Sequence, residues 1–454
     1  MTVHRTRLSV VLCVVLAMLS TATLAADPLA PLSSIDLQDG DTLVFLGDSI
    51  THQCLYTQYI EDYYYTRYPD RRINFHNAGV SGDRADDAVS RFDADVAVFK
   101  PKYVTVLLGM NDGLYKHFDH ETFASYEKDM TTVRKKIAAI GAKAILMGPT
   151  MYDSRVSETR PPRWIAGNPE QVKAVTAYYS AVLAFYGAWC RDQAVRYGQG
   201  YVDMATFMGN LTQKQQAENP KFTMIPDAVH PDAGGQAVMA FAVLDQMNAA
   251  AQVSAVVINQ RKGRWKAYVR NGEVSDIKAE GDGLSFVFKA KALPWVLPSE
   301  AKLGYELTKA GHKKSNERIT ISGLKPGRYD LIIDDVVVGT YPHNRLAAKI
   351  ELQSNEKTPQ YQQALKVAML NKERNAKAIR PLRGQWLRLR GKFTRPGKLG
   401  TEEYKKFKPD FDKKVAELLK LKSEYEDKIY KANQPVARTY RIKPSTAPRA
   451  KSGK

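Results

Sequence analysis

Ser49, Asp227 and His230 are the residues on which a reaction could be built. Ser49 lies in Thr42-Leu43-Val44-Phe45-Leu46-Gly47-Asp48-Ser49-Ile50-Thr51, where an apolar, β-prone run ends in Gly-Asp-Ser and Tyr56, Tyr59, Ile60 and Tyr63 then recur at helical spacing. The stretch reads as buried strand, tight turn, helix. A hydroxyl at the start of such a helix has backbone N–H groups pointing at whatever it attacks. The Gly-x-Ser-x-Gly signature is absent, and a serine here is also a natural helix cap. Acyl transfer needs a nucleophile, a base, a group that orients the base, and donors for the developing oxyanion. Ser49 would attack, His230 would take its proton and later return it to the leaving alcohol, and Asp227, three residues before His230, would hold the tautomer. Gly79 ends the second strand where a side chain would obstruct the substrate, so its N–H could join that of Ser49. Asn111, at the end of the third strand, would add a side-chain amide. A histidine base must be neutral, so activity should climb as pH rises through the range near 6.5 where histidines ordinarily titrate.

The elements that must position these residues alternate. After Ser49, strands are expected at 72–79, 102–112 (running into polar residues), 143–149 and 200–204, with helices at 83–98, 123–140 and 169–197 and an amphipathic helix after Pro231. Strands recurring between helices imply a doubly wound parallel sheet. The polar, Pro-rich residues 152–168 read as a loop over the active edge. From about 255 to 341 the segments become short and β-like with turns between them, which predicts a small antiparallel sandwich, and Leu324-Lys325-Pro326-Gly327-Arg328-Tyr329 reads as a tyrosine corner. Helical patterns return at 359–378 and 402–432, separated by 380–390, and the last twenty or so residues, rich in Lys, Arg, Pro and Ser, are expected to be disordered.

Gly47-Asp48-Ser49, Asn77-Ala78-Gly79, Gly109-Met110-Asn111-Asp112 and Asp227-Ala228-Val229-His230 resemble, in order, the four blocks of the SGNH (GDSL) hydrolase family of esterases and lipases. The resemblance covers roughly residues 40–250. It implies a three-layer α/β/α fold, a Ser49–His230–Asp227 triad, and Ser49, Gly79 and Asn111 as oxyanion donors. The second half has no place in the minimal family domain, and more loosely resembles the longer exported SGNH proteins of polysaccharide-degrading bacteria. The expected layout is a signal peptide at 1–26, the hydrolase domain at 27–252, a small antiparallel β domain at 253–342, a helical basic region at 343–433 and a disordered basic tail at 434–454.

Composition and charge narrow the function. Arg5 and Arg7, the apolar run Leu8–Leu19 and the small residues around Ala25 and Ala26 read as a secretory signal, so the protein should be exported, periplasmic or secreted, with no membrane span after cleavage. Of 454 residues, 251–454 carry 44 Lys and Arg against 21 Asp and Glu, whereas 1–250 carry 23 against 27. That excess would attract polyanions, or would simply be a solvated face on the helices. No nucleic-acid motif is visible, and nucleic acid is not an expected partner. Cys54 and Cys190 could pair after export, although buried free thiols suit their helical positions better. His52 and His76 could line the pocket but suit structural roles, as do Asp48 and Asp112. His117, Asp119, His120 and Glu121 lack a closed ligand spacing, so neither a metal nor another cofactor is expected. The expected function is an exported serine esterase removing acetyl or another small acyl group from an acetylated polysaccharide, neutral or anionic. The alternatives are a lipase, lysophospholipase or thioesterase of the same family, or a non-catalytic glycan- or envelope-binding protein.

Overall fold

The computed structural model describes residues 30–393 and 400–446. The expected signal segment at 1–26, and residues 447–454 of the expected tail, lie outside the described residues. Strands β1 (Thr42–Gly47), β2 (Asn74–Gly79), β3 (Tyr103–Leu107), β4 (Lys143–Met147) and β5 (Gly200–Val202) form one parallel sheet in the order β2-β1-β3-β4-β5. Helices α1 (Ser49–His52), α2 (Leu55–Arg67), α3 (Ala85–Asp95), α4 (His120–Ala139), α5 (Ser154–Thr159), α6 (Pro169–Arg196), α7 (Met204–Gln216) and α8 (Ala233–Gln246) occupy the connections. Every residue of β1 and β3 is buried, as expected of strands covered on both faces. The strand order reverses at β1, with β2 on one side and β3 on the other, so a crevice opens beyond the carboxyl ends of β1 and β3. Ser49 and Asn111 follow those two ends.

The second half contains β6 (Gln252–Arg261), β7 (Arg264–Arg270), β8 (Gly272–Glu280), β9 (Gly283–Ala290), α9 (Lys302–Leu307), α10 (Ala310–Lys314), β10 (Asn316–Ser322), β11 (Arg328–Ile333), β12 (Val336–Pro342), α11 (His343–Ala348), β13 (Ile350–Glu351), α12 (Pro359–Arg374), α13 (Arg380–Phe393), α14 (Glu402–Ala432) and β14 (Arg438–Pro444). Two sheets, β13-β10-β6-β7 and β12-β11-β14-β9-β8, share a core that includes Ile258, Ile321, Phe286, Leu331 and Ile442. The Tyr329 hydroxyl donates to the Lys325 carbonyl at 3.0 Å, which makes the tyrosine corner.

Three expectations are corrected here. The sandwich is not wholly antiparallel, because β6 and β10 run parallel across a connection that holds β7 to β9. Residues 438–444, assigned to a disordered tail, form β14 in the middle of a sheet, since alternation in Tyr440 and Ile442 buries one face despite the flanking charges. The break expected at 380–390 is helix α13, preceded by one widened π turn at Asn375–Ile379 that gives the ring of Pro381 room against the carbonyl four residues back.

The two halves share one core. Helix α2 is buried at nearly every residue, packing on α8 and on α12. Fully buried Trp295 donates its indole N–H to the Tyr59 carbonyl at 3.0 Å. Arg374 of α12, also fully buried, pairs with Glu61 at 2.8 Å and with Glu426 of α14 at 2.9 Å. Cys54 and Cys190 are buried free thiols.

Candidate active site

Asp48 follows β1 and caps α1, its Oδ1 accepting the Ile50 N–H at 2.9 Å. This bond sets the turn that presents Ser49 as the first residue of α1, where its own N–H has no intrahelical partner. Burial pushes the Asp48 carboxyl up to about 7, against the pull of the Ile50 N–H and His230. The loop before α8 supplies the other two groups. His230 Nε2 lies 2.8 Å from Ser49 Oγ, and His230 Nδ1 lies 2.8 Å from Asp227 Oδ2. Asp227 Oδ1 accepts the backbone N–H groups of His230 at 2.7 Å and Val229 at 3.1 Å, closing a turn with Ala228 at φ 71°. Partial burial works the other way, but the bonds from the His230 ring and backbone and from Val229 hold the Asp227 carboxyl down at about 2. An ionised Asp227 keeps the proton of neutral His230 on Nδ1 and leaves Nε2 as the acceptor for the Ser49 hydroxyl.

The expected donors fare differently. Asn111 keeps a donor in reserve: its Nδ2 donates one proton to the Asp83 carbonyl at 2.9 Å, its Oδ1 accepts the Tyr115 hydroxyl at 3.1 Å, and the second amide proton has no partner among the described residues. Gly79 is corrected. Its N–H donates to Asn77 Oδ1 at 2.9 Å, and a Cβ there would run into the His52 nitrogen and the Thr51 carbonyl carbon, so this glycine admits the backbone of α1 rather than substrate. Farther round the same loop, Ser81 N–H donates to His52 Nδ1 and Asp83 N–H to the Val80 carbonyl, whereas the N–H of Gly82, at φ 80°, has no partner among the described residues. Two glycines three apart in Asn77-Ala78-Gly79-Val80-Ser81-Gly82 were the available signal for this second donor.

His52 and His76 are tied into the scaffold by their own partners. His52 receives Ser81, and burial together with the charges of Arg383, Arg91 and Arg380 lowers it to about 4. His76 stacks on Phe99 and meets Asp95 at 3.0 Å. Asp112 braces its loop by accepting the Ala85 N–H at 2.8 Å, and Asp119 caps α4. Two aromatic residues escaped sequence reasoning. Trp164, the one tryptophan in the polar segment 152–168, which folds partly as α5 and not wholly as the expected loop, stands edge-on to His230 with ring centroids 6.2 Å apart and is half exposed. Tyr115, four residues after Asn111, touches both Trp164 and Tyr179. On the outer side of α6 a groove of about 570 Å³ is lined by His117, Phe118, Tyr178, Ala181, Val182 and Phe185.

A serine hydroxyl, an imidazole and a carboxylate bonded in series beside amide donors can carry out acyl transfer through a covalent intermediate. Residues 45–238 match the GDSL-like lipase/acylhydrolase family. The chain carries a GDSL-like acylhydrolase domain. Among relatives of this acylhydrolase, an acetylxylan esterase of Geobacillus stearothermophilus is 23% identical over 236 residues, 46% of this chain and 94% of that protein. Esterase TesA of Pseudomonas aeruginosa is 31% identical over 108 residues, 24% of this chain and 46% of that protein. The solved structure of BT4096, a gut microbial diltiazem-metabolizing enzyme, matches with a TM-score of 0.79 at 26% identity, covering 91% of this chain and 99% of that one. The likeness to BT4096 therefore extends through both halves. The GDSL-type protein is an esterase or acylhydrolase, and among its described residues no helix is long and apolar enough to cross a membrane.

Proposed function

We propose that this protein is an exported serine esterase that removes acetyl or other small acyl groups from polysaccharide. The observation that carries the reading is the continuous relay from Ser49 Oγ through His230 to Asp227, with both links at 2.8 Å. Ser49 Oγ attacks the ester carbonyl while His230 Nε2 takes its proton. The oxyanion that forms is met by the N–H groups of Ser49 and Gly82 and by the free amide proton of Asn111. Collapse of the tetrahedral intermediate breaks the bond to the alkoxy oxygen, which leaves as the alcohol with the proton from His230. Water, deprotonated in turn by His230, then releases the acid and restores Ser49.

Support for acetyl and for polysaccharide comes from the acetylxylan esterase relative, and support for export from the charge and hydrophobicity of residues 1–26. The likeness to BT4096, a diltiazem-metabolizing enzyme, favours a second reading, a larger or aromatic ester substrate.

With 4-nitrophenyl acetate, Ser49→Ala should lower kcat by at least about 10⁴-fold while melting as the wild type does. Retained turnover would remove Ser49 as the nucleophile. Comparing acetyl with decanoyl esters, and acetate release from acetylated xylan with turnover of diltiazem, separates the two substrate readings. A clear preference for decanoyl would overturn the acetyl assignment.

A further inference from the structure

The basic second half reaches the loop beside Ser49 through α13. Arg383, completely buried, donates from Nε to the Gly79 carbonyl at 3.0 Å and from Nη1 to the Asn77 carbonyl at 2.6 Å, and pairs with the Asp95 carboxylate. Seven residues later, two turns along the same helix face, Arg390 donates from Nη2 to the Gly82 carbonyl at 2.6 Å and to Asp87 at 3.1 Å, and its Nε lies 2.7 Å from Asp83 Oδ1. Between these anchors Val80 is packed among Leu382, Trp386 and Phe411. The seven residues 77–83, from the end of β2 into the following loop, are thus held at three carbonyls and two side chains, Val80 and Asp83, by elements some three hundred positions away.

On the proposed mechanism, this loop bears on the two donors that flank Ser49. Gly82 offers an N–H unpartnered among the described residues, and its carbonyl is the atom Arg390 grips. Asn111 commits one amide proton to the Asp83 carbonyl, and the Asp83 carboxylate is held from two directions, by Arg390 and by Arg91 at 2.7 Å. Burial raises the Asp83 carboxyl to about 6 against both arginines, so at neutral pH it is the anion of this pair. We propose that Arg390 is a positioning residue for acyl transfer, setting the aim of the Gly82 and Asn111 donors by fixing Gly82 and Asp83 from helix α13. This rests on the reading of Ser49 as nucleophile with those donors as its oxyanion site.

The test uses the full chain. Arg390, at the rim of the site, is replaced rather than the wholly buried Arg383. Arg390→Gln should lower kcat for 4-nitrophenyl acetate by about 10- to 100-fold, the scale of a misplaced catalytic group, with KM within about twofold. Inhibition by phenylboronic acid, which forms a tetrahedral anion on an active serine, should weaken by a similar factor. Arg390→Lys keeps a charge for Asp83 but loses the planar fork, and should fall between the two. The effects of Arg390→Gln and Asn111→Ala should be less than additive, because both act on one donor set. Wild-type kcat in folded Arg390→Gln, full additivity with Asn111→Ala, or a loss of rate that only tracks a loss of titratable serine would overturn the inference. If Arg390→Gln does not fold, Arg390→Lys and Asp87→Asn take its place, and the same three outcomes in them would overturn it. An active Ser49→Ala protein would instead overturn the reading beneath it, whereas inactive Ser49→Ala with unimpaired Arg390→Gln would overturn this inference alone.

Discussion

Asp48 and Asp227 flank the same serine yet are driven in opposite directions, Asp48 by burial and Asp227 by hydrogen bonds from its own loop. Asp48 yields a pH prediction with a definite sign. Its folded value near 7 lies above the ordinary 3.8, so between those values the folded protein keeps a proton that the unfolded chain has released. The stability this proton contributes is complete below about pH 4 and is lost as pH rises to about 7. Asparagine can accept the Ile50 N–H without ever ionising. The melting temperature of Asp48→Asn relative to wild type should therefore rise between pH 4 and 7 and level off above; a difference that stays constant across that range would contradict it. Ser49, Asn111, Asp227 and His230 were legible in the sequence because each follows a strand end or precedes a helix, where polar residues interrupt an apolar pattern. Gly79 was misassigned because sequence spacing does not reveal that the Asn77 side chain engages its N–H.

At the scale of elements, β1 with α1 and the strand end of β2 are fitted backbone against backbone. Gly79 permits that approach, so Gly79→Ala must push α1 away from β2 and carry Ser49 with it. Overpacking of this kind should cost about 1–3 kcal/mol in urea denaturation. The rate should suffer more, with kcat down by about 100-fold as Ser49 leaves the reach of His230. Unchanged kcat would show that α1 does not depend on this contact. The parallel sheet was readable from periodicity, since its strands are continuous apolar runs between helical patterns. Helix α13 was not. Arg380-Pro381-Leu382-Arg383-Gly384-Gln385-Trp386-Leu387-Arg388-Leu389-Arg390 looks like a charged breaker, and only the surrounding carbonyls and carboxylates explain why Arg383 is a core residue.

For the whole molecule, part of the basic excess is structural, because Arg374 and Arg383 are buried in pairs with Glu61, Glu426 and Asp95. Neither a solvated face nor a polyanion site describes those two residues. The C-terminal strand is as internal as they are. Ile442 is fully buried and Tyr440 stacks on Phe286 with ring centroids 5.0 Å apart. Ile442→Ala should cost about 2–5 kcal/mol, read from denaturant midpoints, and a cost well under 1 kcal/mol would mean that β14 contributes little to the sheet. This strand was hidden because Lys, Arg and Pro surround its few apolar residues, so the composition of the segment outweighed its alternation.

The central place of β14 also fixes an order of events during synthesis. A ribosome delivers β1, the strand before Ser49, early, but β11 and β9 stay without their shared neighbour until residues 438–444 emerge, and α13 grips the loop near Ser49 only after residue 393. The finished enzyme should therefore come into being only once residue 444 has emerged, and a nascent chain stalled anywhere before residue 438 should hydrolyse no ester efficiently, however complete its first 250 residues are.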